Sequence, residues 1–112
     1  EDIMALYMVQ FNYTTEAWQT LTQKPQDRSV GLSAMVQKAG GRLISLYYCF
    51  GEYDGVALLE APDDIAASAV VLAALTPGHI KTIKTTKLLT VEETMEAMRK
   101  AGSLSYQGPS RG

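Results

Sequence analysis

The chain has 112 residues, 46% hydrophobic and 20% charged, a globular balance that excludes a disordered polymer and leaves room for one domain with a real core. Its formal net charge of -2, with acids and bases interspersed, offers no electrostatic footprint for nucleic acid or an anionic membrane surface. No apolar run is long enough to cross a bilayer, no basic leader precedes one, and the opening Glu1-Asp2-Ile3 reads as a remnant ahead of an original start at Met4.

Residues 4–13 are apolar on both alternating faces and rich in aromatics, which predicts a central strand covered on both sides. Thr14 or Thr15 then caps a helix that carries Trp18 and Leu21 on one face. Lys24-Pro25 interrupts it, since proline disfavours helix at the residue before it. Helix resumes around Gln26, with Leu32, Met35, Val36 and Ala39 at the spacing of a buried stripe, and Gly40-Gly41 ends it. Residues 42–50 predict a second strand with Ile44, Leu46, Tyr48 and Phe50 on one face and Leu43, Ser45, Tyr47 and Cys49 on the other.

Gly51-Glu52 predicts a tight connection into a third strand over residues 53–60. Pro62-Asp63-Asp64 opens a helix to about Leu75, whose alanine, valine and leucine content all round predicts packing on more than one side. After Thr76-Pro77-Gly78, residues 80–89 form a fourth strand whose lysines suit a sheet edge. Thr90 and Glu93 form a capping box for a last helix with the stripe Val91, Met95 and Met98. Gly102 closes that helix, so the domain spans residues 4–101 and residues 102–112 are a mobile tail.

This order is the ferredoxin-like split β-α-β-β-α-β motif with a C-terminal helix, an α+β fold. Helices cover one face of such a sheet. Apolar residues on both faces of the first two strands therefore predict that the bare face is buried against another copy, in a homodimer or higher oligomer.

The string Gly51-Glu52-Tyr53-Asp54-Gly55-Val56, followed by Leu59-Glu60-Ala61-Pro62-Asp63-Asp64, resembles the GYD-domain family. Gly40-Gly41, Tyr47-Tyr48 and Pro77-Gly78 with Ile80-Lys81-Thr82 sit where members carry similar elements, so the resemblance covers roughly residues 4–100. It implies a small bacterial or archaeal protein of the dimeric α/β barrel group with dimer contact through the sheets, and it supplies no reaction. Two positions depart: His79 stands where members more usually have asparagine, and Ile83 where an acidic residue often follows the threonine.

Cys49 and His79 are each alone of their type, which excludes an intrachain disulfide and argues against a structural zinc site; no metal and no cofactor are expected, and the location expected is a reducing cytoplasm. Tyr53 and Asp54 could serve as proton donor and base or as ligand anchors. The structural alternative is favoured, with Asp54 binding turn amides beside glycine. His79 is the natural proton shuttle by residue type, against a solvated bystander after a turn. Cys49, mid-strand, reads as a buried small hydrophobe rather than a nucleophile. Tyr7, Tyr13, Tyr47, Tyr48 and Trp18 suit either a phenol-lined pocket for a flat ligand or a core with hydroxyls at its rim.

Two functions from different classes follow. One is an oligomeric small-molecule-binding or regulatory domain with Trp18, Tyr47, Tyr53 and Asp54 at the ligand. The other is a cofactor-independent oxygenase, cyclase or isomerase on an aromatic or polyketide-like substrate, with His79 as base and Tyr47 and Tyr53 orienting it. Self-association, a small-molecule ligand, no nucleic acid and no membrane are the partners expected.

Overall fold

The alternation of β1 (Ala5–Tyr13) decides where the core lies, because Tyr7, Val9 and Phe11 are buried while the residues between them are half-buried. The computed structural model describes residues 3–110; Glu1-Asp2 and Arg111-Gly112, the outer ends of the expected remnant and tail, lie outside the described residues. β1 pairs antiparallel with β3 (Gly55–Ala61) on one side and with β4 (Ile80–Leu88) on the other, and β2 (Arg42–Tyr48) pairs with β3. The four-stranded order β2-β3-β1-β4 is compatible with the ferredoxin-like arrangement and leaves the lysine-rich β4 at an edge.

Three helices cover the face that carries Tyr7, Val9 and Phe11. In α1 (Thr15–Gln23) the Thr14 hydroxyl caps the first turn by accepting from the Ala17 amide at 3.1 Å. α2 (Arg28–Lys38) starts two residues later than the sequence suggests, because Asp27 is the residue able to cap it, accepting from the Ser29 amide at 2.9 Å. Gly40 ends α2 at φ +90°, donating to Gln37 at 2.9 Å, while Gly41 donates to Val36 at 2.9 Å; this paired closure favours glycine at the left-handed position. Val36 and Leu59 are the largest fully buried side chains, and trimming either to alanine would cost about 2–5 kcal/mol.

Four expectations need correction. In β2, Leu43 opposes Leu59 while Ser45 opposes Leu58, so Ile44 is the extra residue of a bulge and is exposed. Leu43, Leu46 and Tyr48 therefore share the covered face, and both leucines reach the core that strict alternation would have split between faces. The connection from β2 to β3 is a six-residue loop, closed by Cys49 N–H donating to the Asp54 carbonyl at 2.9 Å, and Phe50 lies in it at φ +52°. Cys49 is exposed there, its thiol donating to the Tyr53 carbonyl at 3.1 Å, and is no buried hydrophobe. Finally, α3 (Asp64–Leu75) buries only Ala67 and Val70 and leaves Ile65 and Leu72 exposed, so it packs along one stripe.

The Thr90–Glu93 capping box forms as the sequence predicts and opens α4 (Val91–Gly102). No residue of α4 is buried, and Val91, Met95 and Met98 are exposed. Consistent with a projecting helix, the radius of gyration is 18.3 Å, against about 13 Å for a compact chain of this size. Residues 103–110 continue it without regular structure, and no helix among the described residues is long and apolar enough to cross a membrane.

Candidate functional site

The same three helices that cover the sheet do not fill the space above it. Small side chains at Ala17 on α1, Gly31 on α2, Ala57 on β3 and Ala74 on α3 leave a cavity of about 520 Å³ between helices and sheet, within the range of about 300–1,000 Å³ usual for small-molecule sites. Its floor is Val9, Phe11, Leu46, Leu59 and Ile83, and its walls include Leu21, Leu32, Met35 and Val70. The polar lining residues are Tyr13, Thr20, Gln26, Arg28 and His79, and no aspartate or glutamate is among them.

Most of those polar groups gather at one end, where β1 finishes. Tyr13 is paired with Ile80 across the sheet, and Thr14 N–H donates to the His79 carbonyl at 3.0 Å, which fixes His79 beside that end. Pro25 breaks the helical run so that Gln26 and Arg28 meet there, the guanidinium donating to the Gln26 side-chain oxygen at 3.4 Å. Burial and then the Tyr48 hydroxyl, 3.2 Å away, push the Tyr13 phenol above its ordinary range, while nearby Arg28 pulls it back. Tyr13 is therefore a neutral hydroxyl beside a fixed positive charge. Arg28, Gly31, Leu32 and Met35 lie on one helical stripe lining the cavity, so the cavity-facing stripe of α2 begins one turn before its apolar residues do.

Behind Tyr13 stands an aromatic cluster held by one carboxylate. Asp54 accepts from the Trp18 indole at 2.9 Å and from the Tyr13 amide at 3.0 Å, while its own amide donates to the Phe11 carbonyl at 2.9 Å. Trp18 meets Tyr13 edge-on with ring centroids 5.1 Å apart, and Phe50 stacks on Tyr48 at 6.3 Å. Gly55 makes room for this packing, since a β-carbon there would lie 2.4 Å from the Phe11 ring. At the far end of β1 the Tyr7 hydroxyl donates to the Asp64 carboxylate, which also pairs with Lys87 at 3.2 Å. Burial first, then Asp64, pushes Tyr7 up to about 12, whereas the Tyr7 hydroxyl and then Lys87 hold Asp64 below the usual carboxylate range.

Of the candidate site residues singled out from the sequence, His79 and Tyr13 line the cavity directly. Trp18 and Asp54 act one step behind it, through Tyr13. Tyr47 opposes Val56 on the other face of the sheet and is exposed, and Tyr53 lies in the β2–β3 loop, so neither is brought to His79. Asp54 does bind backbone, but across elements rather than within its own turn. Arg28 and Gln26 escaped notice; the signal was a stripe on α2 whose next positions are an arginine and a glycine instead of apolar residues. Among the described residues no group of three or more His, Cys, Asp or Glu is placed to hold a metal.

The model of the GYD domain matches residues 7–98. The chain belongs to the GYD-domain family. No curated protein matches it. Among solved structures, the crystal structure of MtbAldR is similar with a TM-score of 0.58 at 14% identity, covering 79% of this chain and 55% of that one. That likeness shows the fold alone, and the GYD chain spans about half the length of the protein it matches.

Proposed function

We propose that this GYD domain is an oligomeric small-molecule-binding or regulatory module whose ligand occupies the cavity between the sheet and α1, α2 and α3. The observation that carries the reading is the cavity itself: about 520 Å³, apolar over floor and walls, with its polar groups convergent at one end. Its binding groups are Tyr13, Arg28 and His79, with Trp18 and Asp54 as the residues that position Tyr13. Native mass spectrometry of the gently purified protein tests this. Bound small-molecule mass is expected on the wild type and absent from Gly31→Leu, whose added side chain meets nothing within 4 Å at its β-carbon and extends into the space the ligand needs. A Gly31→Leu protein that keeps the same bound mass would refute the site.

Self-association through the open sheet face belongs to the same reading. That face carries Leu6 and Met8 on β1, Val56 and Leu58 on β3 and Tyr47 on β2, opposite in alternation to the buried row, and none of these is buried in the single chain. An apolar patch of this kind, rimmed by Gln10, Glu60, Lys84 and Thr86, marks an interaction surface. Light scattering is expected to give at least a dimer for the wild type and a monomer for Leu58→Glu. A wild-type monomer would remove the oligomer from the account and leave the cavity standing. A reducing, cytoplasmic setting fits the exposed Cys49 and is proposed with it.

A further inference from the structure

Resting on the cavity reading above, we infer that the ligand is a monocarboxylate with a compact apolar tail, its head gripped by Arg28 and the Tyr13 hydroxyl and its tail lying on Val9, Leu59 and Val70. The charge inventory of the site leads there. Arg28 is the one side chain on the lining that carries an obligatory charge, and among the described residues no carboxylate lies within salt-bridge distance of it. Its sequence neighbour Asp27 is committed to the Ser29 amide and hydroxyl as the cap of α2, and the guanidinium meets neutral groups, the Gln26 oxygen at 3.4 Å and the Tyr13 hydroxyl. An exposed positive charge at the mouth of an apolar chamber with no acid on its wall is free to take an anion that enters the chamber, and charge complementarity selects that anion over a neutral ligand.

The shape of that charge selects the anion. A planar guanidinium matches a carboxylate through two parallel N–H···O bonds. Tyr13, kept protonated by its burial, has a hydroxyl to donate to the same head, and Tyr48 at 3.2 Å can take up the other side of that hydroxyl. A single arginine beside a lone histidine suits one negative charge; phosphate esters would bring nearly two into a chamber whose remaining surface is apolar. The tail is limited in size by α2 and α3, which close over the floor, and by the absence of further polar groups deep in the cavity.

Isothermal calorimetry with the full chain tests this with octanoate and 1-octanol, matched in tail and different in head, each below its aggregation limit. Octanoate is expected to bind at least tenfold tighter than 1-octanol. Arg28→Gln is expected to bring octanoate down to the level of 1-octanol, and Arg28→Lys to restore part of the preference. Equal binding of the two by the wild type, or octanoate affinity unchanged in Arg28→Gln, overturns the carboxylate inference while leaving the cavity reading intact. Binding of neither probe overturns both. Arg28 is exposed, so its variants are expected to fold, and their circular dichroism and melting temperatures should match the wild type.

Discussion

Asp54 is the residue whose removal separates a structural clamp from a reactive carboxylate. Its Oδ2 accepts both the Trp18 indole at 2.9 Å and the Tyr13 amide at 3.0 Å, so Asp54→Ala leaves two part-buried donors without an acceptor. Hydrogen bonds to a charged partner are worth about 1.5–3 kcal/mol each, and because the two share one oxygen they do not add fully, so a loss of about 2–5 kcal/mol is expected. With a urea slope of about 1.5–2 kcal/mol/M, the unfolding midpoint should fall by about 1–3 M. Asp54→Asn keeps an oxygen in place and loses only the charge, so it should retain roughly half of the difference. Urea unfolding followed by Trp18 fluorescence reads both the stability and the indole environment. An Asp54→Ala protein within about 0.5 kcal/mol of wild type, with unchanged native emission, would refute the clamp.

Four further outcomes follow from the same geometry. Gly55→Ala places a methyl 2.4 Å from the Phe11 ring, and overpacking of this kind should cost about 1–3 kcal/mol in denaturant unfolding. Gly31→Leu should do the reverse, gaining about 0.5–1 kcal/mol in helix propensity while abolishing ligand binding, so stability and function part company in one variant. Tyr7 has its proton held up to about pH 12 in the folded chain against 10.0 when exposed, so its contribution is complete below pH 10 and is lost as pH rises from 10 towards 12. The slope in that window should approach about 1.4 kcal/mol per pH unit, and Tyr7→Phe should flatten it in unfolding midpoints measured from pH 8 to 11.5. Asp64 acts at the other extreme: its lowered folded pKa gives stability present above the ordinary aspartate range and lost as pH falls through the folded value.

How far the sequence reached depends on how local the deciding interaction is. Thr90 and Glu93, three residues apart, announce their capping box because both halves of the bond lie in one turn. The lysines of β4 announce an edge because an edge is a property of one strand. The bulge at Ile44 was invisible, since it arises from matching β2 to Leu58 and Leu59 across the hairpin. The exposure of Ile65 and Leu72 was equally hidden, because composition tells how apolar α3 is and not how many neighbours reach it. The same division holds at the site. The aromatic character of Tyr13, Trp18 and Tyr48 was legible, but Asp54 bridging 36 residues back to Trp18 and Arg28 meeting Tyr13 required the fold.

Occupancy of the cavity by a ligand distinguishes a binding domain from a loosely packed chain. Chemical-shift mapping of the isotope-labelled protein titrated with octanoate tests it residue by residue. Saturable shifts are expected at Tyr13, Ala17, Arg28, Gly31, Leu59 and Val70, which surround the chamber, with Tyr47, Val56 and Leu58 on the open sheet face unmoved. Shifts confined to the open face, or linear and unsaturated everywhere, would contradict occupancy and leave the chamber a packing defect.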